Sequence, residues 1–429
     1  MPLCKRILAV FIPLIIVIFY RNENTSAGDK WRHRPLWLAP VNYLAPDWEL
    51  KPEWFLRGTE DEVTREGLVV TVRSLNKDAQ ITKVGKIISG MFLWEQLQQR
   101  ECVELEVAKK VKNDEASIPP PIVVLGLPRT GTTFMHGMLG ESTIKHRVPR
   151  FHEYMRSCPK RGGIFHQVRQ ELQGLKMFAI RKLTPTMKAM HYIKSTSPEE
   201  DIMALGHDMI NMMLFTGFYV PTYTEWLKND TEKKLDHSLK YLRKFLDQHL
   251  REPSDKRPWI LKTPWHLVEI LEFEKVFPGT KYIWMHRDPI ETFSSLVDLS
   301  VRMTGMGSDI TASEKNRNLI AKYTVDMWFW ILKRGVDARN RSKGKIKFID
   351  VKFETLNDDP VEVAEKVFKE LGFSVDEALH QKFIKFAKEN GRTKRGKHIH
   401  ELTHGLNATE VELRYNEIMS KLIETNYIQ

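Results

Sequence analysis

The feature that most narrows the folds open to this chain is a short apolar run that enters a glycine-punctuated turn and then a helix. It reads Pro121-Ile122-Val123-Val124-Leu125-Gly126-Leu127-Pro128-Arg129-Thr130-Gly131-Thr132-Thr133. Prolines 119, 120 and 121 bound the run, which predicts a buried strand, and hydroxyl residues open a predicted helix over 132–139. Strand, glycine turn and helix N-terminus aim successive backbone N–H groups, and the positive end of the helix dipole, at one point where an anion can sit. Gly126 and Gly131 keep the spacing of the phosphate loop G-x-x-x-x-G-K-[ST], but Thr132 follows where that loop has lysine. Arg129 carries the positive charge within the turn. The loop therefore suits a phosphate without the lysine used to cleave a nucleoside triphosphate.

Pro128-Arg129-Thr130-Gly131-Thr132-Thr133 resembles the 5′-phosphosulfate loop of sulfotransferases that use 3′-phosphoadenosine 5′-phosphosulfate (PAPS), closest to the branch written P-R-[ST]-G-T-T. The resemblance implies an α/β fold, P-loop NTPase-like, in three α/β/α layers around a central parallel sheet of about five strands. It implies transfer of a sulfuryl group from PAPS to a hydroxyl or amine, release of adenosine 3′,5′-bisphosphate, and no required metal. Arg129, Thr130, Gly131, Thr132 and Thr133 would hold the 5′-phosphosulfate.

A second unit supports this reading. Residues 259–262 predict a strand, 265–276 a helix and 281–286 a strand, which is one βαβ unit with parallel strands. Lys262-Thr263-Pro264-Trp265-His266 lies at the end of the first strand, the edge where α/β folds bind ligands, and resembles the family's L-K-[ST]-P-x-H. Lys262 and Arg129 would offset charge that builds on the leaving phosphate and the sulfuryl oxygens. The second strand runs into His286-Arg287-Asp288-Pro289 and a helix over 290–299. Arg287 and Ser295, eight apart, match the family's 3′-phosphate signature: a bidentate fork and a hydroxyl donor for a phosphate that ATP lacks. Near the C-terminus Arg395, Gly396 and Lys397 resemble the basic glycine loop that closes on the 3′-phosphate side, with a solvated charge run as the rival reading.

The transfer needs a base for the acceptor's proton. Glu153 lies where the resemblance implies a catalytic carboxylate, with His152 in place of the aromatic residue, and His266 is the second candidate. His191 and Ser197-Pro198-Glu199-Glu200-Asp201 resemble another family segment, read here as a helix start with Ser197 as cap, Pro198 in the first turn and the acids as structure. Phe353-Glu354-Thr355-Leu356 leads to Asp359-Pro360, a predicted cap and first-turn proline. The stretch 202–226 is core or the wall of an acceptor pocket.

In 429 residues, 66 Lys+Arg against 55 Asp+Glu leave a net charge of +11, which favours an anionic partner. The absence of a dense basic-aromatic run argues against nucleic acid, and a multiply charged nucleotide suffices. Three cysteines without metal-ligand spacing argue against a disulfide framework and a zinc site. Lys5-Arg6 precede an unbroken apolar stretch over 7–20, the pattern of a signal peptide or uncleaved signal anchor. The expected domains are 1–27 as that address, 28–59 as a Trp/Pro-rich stem and 60–429 as the catalytic domain. The expected location is the secretory pathway, as a single-pass type II Golgi membrane protein, with the cytoplasm as the alternative. The expected acceptor is a small molecule, glycan or lipid. A P-loop small-molecule kinase and a catalytically inactive nucleotide-binding protein are the alternative functions.

Overall fold

The computed structural model describes residues 49–55, 61–109, 118–142, 146–155, 197–210, 212–249, 255–391, 403–422 and 427–428. The chain divides into two compact units, Met1–Leu50 and Lys51–Gln429. The expected N-terminal address, most of the stem, His191 and the 395–397 loop lie outside the described residues.

In chain order the second unit runs through α1 (Glu62–Lys77), α2 (Lys83–Lys109), β1 (Ile122–Gly126), α3 (Thr132–Leu139), α4 (Phe151–Met155), α5 (Ile202–Gly206) and α6 (Thr231–Gln248). It continues through β2 (Ile260–Lys262), α7 (Ile270–Val276), β3 (Lys281–His286), α8 (Pro289–Gly307), α9 (Glu314–Ser342), β4 (Lys347–Lys352), α10 (Pro360–Glu370), α11 (Glu377–Asn390) and α12 (Ala408–Met419). Aspartates set several starts. Asp61 accepts from Thr64 N at 2.8 Å, Asp288 from Glu291 N at 2.8 Å and Asp359 from Glu362 N at 3.0 Å, the latter two with proline next in the chain.

The four strands form one parallel sheet in the order β2-β1-β3-β4. The expected βαβ unit of β2 and β3 exists, but β1 lies between its strands, so the crossover spans a neighbour. Among the described residues the sheet has four strands, in keeping with the expected parallel α/β plan. The outer edge of β2 meets a single bridge at Arg147, with Ile260 N donating to Arg147 O at 2.8 Å. Pro149, which lacks an N–H, stands two residues on.

Alternation along the strands divides the core into two layers. Ile122, Val124, Ile260, Ile283, Met285, Ile349 and Val351 pack with Met135, Met138 and Leu139 of α3, Val363, Val367 and Phe368 of α10, and Leu379 and Phe383 of α11. On the other face Tyr282 meets Phe273 of α7, with ring centroids 6.2 Å apart, and Arg339 of α9 lies over Trp284 at 5.6 Å. Asp350 opens onto that second face, fully buried, and takes both arms of Arg339 at 2.7 and 2.8 Å with His286 Nε2 at 2.8 Å. Burial would raise the Asp350 carboxyl, but these partners hold it down at about 2.

Cys102 on α2 is disulfide-bonded. One sequence expectation fails. Ser197 and Pro198 do not open a helix; Arg150 bridges Pro198 and Phe151 N donates to Ser197 O at 3.1 Å, while the helix begins only at Ile202. Pairing with the 147–151 strip satisfies this backbone first.

Candidate active site

Where β1 ends, Gly126 takes φ +144°, and a Cβ there would lie 2.5 Å from Met285 O of the adjoining strand. Only glycine lets the chain turn away from β3 at that distance. Arg129 adopts φ +72°, and the Thr130 hydroxyl donates to Leu127 O at 2.7 Å, which closes the turn from inside. Gly131, at φ +91°, precedes α3 and its carbonyl accepts from Phe134 N and Met135 N at 3.0 and 3.1 Å. The N–H groups of Thr132 and Thr133 then fall in the first turn, where a helix offers them no acceptor. Thr133 is exposed there. The Thr130 side chain faces the turn, so its contribution to an anion site is its backbone N–H.

The lysine missing from the loop arrives from the neighbouring strand. Because β2 lies directly beside β1, its last residue, Lys262, reaches the start of α3: Nζ lies 3.2 Å from Thr133 Oγ1 and contacts a Glu200 carboxylate oxygen. The side chain is 1% exposed, so its charge acts where water screens it little. Asp201 Oδ1 accepts from Lys262 N at 3.0 Å and pins the 197–201 strip to this strand end.

Four carboxylates gather around Tyr154. The buried Tyr154 hydroxyl is pushed up by burial and by Asp201, Glu153, Glu199 and Glu200 together. Glu199 is buried and one of its oxygens accepts from Glu200 N at 2.9 Å. Glu153 turns back on its own helix, accepting from Arg150 N at 2.9 Å, an N-terminal cap. His266 is fully buried between Asp201 Oδ2 at 2.7 Å and Glu269 Oε1 at 2.5 Å. Burial would lower its pKa, but the two carboxylates raise it to about 10, which favours the imidazolium, with Nδ1 hydrogen-bonded to Glu269 and Nε2 beside Asp201. An imidazolium enclosed by two carboxylates has no lone pair free to take a proton, which argues against the expectation of His266 as base.

The residues expected at the 3′-phosphate adjoin the loop. Arg287, just past β3, donates from Nη1 to Arg129 O at 2.8 Å, pairs through Nη2 with Glu291 at 2.5 Å, and stacks over the Phe353 ring at 4.3 Å. Arg129 Nε donates to Ser295 Oγ at 3.0 Å. The loop arginine thus links the strand-end arginine and the helix serine, across up to 166 positions of sequence. In this arrangement the Arg129 side chain reaches toward Ser295 rather than toward Lys262. Two features escaped the sequence reading. Glu291 shares Arg287, and Glu200 contacts Lys262; the second was visible only as one of three consecutive acids.

A family model described as the sulfotransferase family matches residues 120–377. Comparison with curated proteins gives no match. Among solved structures, the sulfotransferase STF1 from Mycobacterium tuberculosis aligns with a TM-score of 0.67 at 22% identity, over 84% of this chain and 93% of that one. The sulfotransferase STF9 from Mycobacterium avium aligns with a TM-score of 0.71 at 19% identity, over 95% of this chain and 99% of that one. At these identities the likeness is one of fold.

Proposed function

The chain belongs to the sulfotransferase family, and on that premise we propose that its donor is PAPS and its acceptor a hydroxyl or amine. The observation that carries the proposal is the meeting of two anion subsites at one sheet edge. The 126–133 turn and α3, with Lys262 Nζ 3.2 Å from Thr133 Oγ1, form one; Arg287, Ser295 and the side chain of Arg129 form the other. PAPS carries an anionic group at each end of its adenosine and supplies an activated sulfuryl group. In this reading the loop N–H groups hold the 5′-phosphosulfate, and Arg287 with Ser295 recognises the 3′-phosphate. Lys262 offsets charge building on the leaving phosphate. Its low exposure supports this role, since a fixed cation in a site poor in water stabilises developing charge without reorganisation.

Binding of adenosine 3′,5′-bisphosphate and of AMP, measured by calorimetry, tests the donor assignment. The bisphosphate should bind at least tenfold tighter; equal affinities would remove the 3′-phosphate subsite. Labelled PAPS offered with phenols, sterols, sugars and tyrosine peptides should label one acceptor class.

We extend the proposal to an oxidising, secretory compartment, which the disulfide at Cys102 supports because such bonds persist there. Of the described N-x-[ST] sites, Asn340 donates its side-chain amide to Lys421 O at 2.7 Å and Asn407 caps α12. Exposed Asn229 is the site to test. A glycosidase-sensitive gel shift lost in Asn229→Gln would support a luminal body; an unshifted protein from secretory cells would count against glycosylation there.

A further inference from the structure

Sulfuryl transfer to a hydroxyl requires a group that removes the acceptor's proton, and five ionisable side chains converge behind the end of β2: Glu153, Glu199, Glu200, Asp201 and His266. Asp201 is fully buried, one oxygen on Lys262 N at 3.0 Å and the other 2.7 Å from His266. Glu199 is 6% exposed and holds Glu200 N. His266 is sealed between two carboxylates, and Glu153 caps its own helix. Glu153, like Glu200, is partly open, so Glu200 is set apart by its partner. Its carboxylate touches the Lys262 ammonium, the cation beside the start of α3, and its side chain keeps 20% of its surface open.

We propose that Glu200 is the catalytic residue that takes the acceptor's proton; the assignment rests on the sulfuryl-transfer reading above. As the donor enters, its sulfuryl and phosphate oxygens compete with Glu200 for Lys262. The ammonium turns to the donor, and the Glu200 carboxylate is left beside the incoming hydroxyl. The acceptor oxygen then forms its bond to sulfur while the bond from sulfur to the bridging phosphate oxygen breaks. That oxygen leaves with the electron pair as adenosine 3′,5′-bisphosphate, and the hydroxyl proton passes to Glu200, which later returns it to water. One lysine thus serves both partners in turn, which couples release of the base to arrival of the donor.

The test is Glu200→Gln in the full-length protein, assayed with labelled PAPS and whichever of 2-naphthol, cholesterol, N-acetylglucosamine or a tyrosine peptide the wild type sulfates. Turnover should fall by roughly 10²–10⁴-fold, the range for loss of a general base, and the acid limb of the pH–rate profile should disappear. Affinity for adenosine 3′,5′-bisphosphate should hold or tighten several-fold, because a negative charge beside an anion site has been removed. Glu200→Asp should retain intermediate turnover, and added formate should partly restore Glu200→Ala; loss of packing alone would give neither. A Glu200→Gln enzyme within threefold of wild type, or a large loss in Glu153→Gln alone, would overturn the assignment while the sulfotransferase reading stood. A wild-type protein that neither binds the bisphosphate nor sulfates any acceptor would remove the reading itself, and this assignment with it.

Discussion

Arg100 and Lys262 are both buried cations facing carboxylates, yet their surroundings differ in kind. Arg100, on α2, contacts buried Asp208 and lies 3.8 Å from Asp61 and 3.7 Å from Glu104, with the Tyr241 ring at 4.8 Å. Asp208 in turn accepts from Thr64 Oγ1 at 2.7 Å and lies 3.2 Å from His237. Every group in that cluster is held by others on α1, α2, α6 or the turn after α5. Lys262 sits at a strand end beside a helix N-terminus and contacts, among the described residues, a partly open carboxylate and a hydroxyl. The difference teaches that burial alone does not separate a charge locked into the fold from one open to a ligand. A charge surrounded by fixed partners ties helices together, whereas one held by a displaceable partner beside an anion cradle is available to a ligand.

The sharpest way to break this contrast is Lys262→Met. Loss of the cation should cut turnover by about 10³-fold, or about 4 kcal/mol of transition-state stabilisation, while the melting temperature stays near that of wild type. A variant that melts early with its rate intact would place Lys262 with Arg100. The reciprocal change, Asp208→Asn, should destabilise the fold by about 3 kcal/mol by leaving Arg100 without its closest partner. Chemical denaturation checks this, and affinity for adenosine 3′,5′-bisphosphate in the folded protein should not change. Arg287→Ala should weaken the bisphosphate by roughly 10–100-fold, about 1.4–2.8 kcal/mol, and leave AMP nearly unaffected; parallel losses for both nucleotides would merge the two subsites.

The smallest effect is a pH slope. Burial alone would lower the His237 pKa, but its hydrogen bond to Asp208 and the charges of Asp208 and Asp61 raise it above 6.5. A raised histidine pKa means that the proton favours the folded state. Its contribution is complete below 6.5 and is lost as pH rises through the folded value. The melting temperature should therefore decline more steeply above neutrality in the wild type than in His237→Gln.

The loop at 126–133 and the turn into α8 were legible because their chemistry is local. Gly126, Gly131, Pro289 and Asp288 act on backbone within a few residues, so spacing reports them directly. α3 falls on its expected bounds and Asp359 caps α10 as expected, for the same reason. The 197–201 strip was misread because its backbone is satisfied by residues 149–151, a pairing that no local rule reveals. His266 looked like a base until Asp201 and Glu269 came to either side of it. The sequence singled out Glu153 and left Glu200 among the structural acids, whereas the path of β2 beside β1 brings Glu200 to Lys262.

The amino-acid sequence by itself determined the glycine turn, the parallel α/β plan and the arginine that follows β3, because backbone geometry and periodicity act over a few residues. Tertiary structure decided that a strand-end lysine would stand where the loop has none, and which of five ionisable side chains would share it. The physical reason is that a side chain's charge state and availability depend on what surrounds it, and here those surroundings come from segments 60 to 130 residues apart.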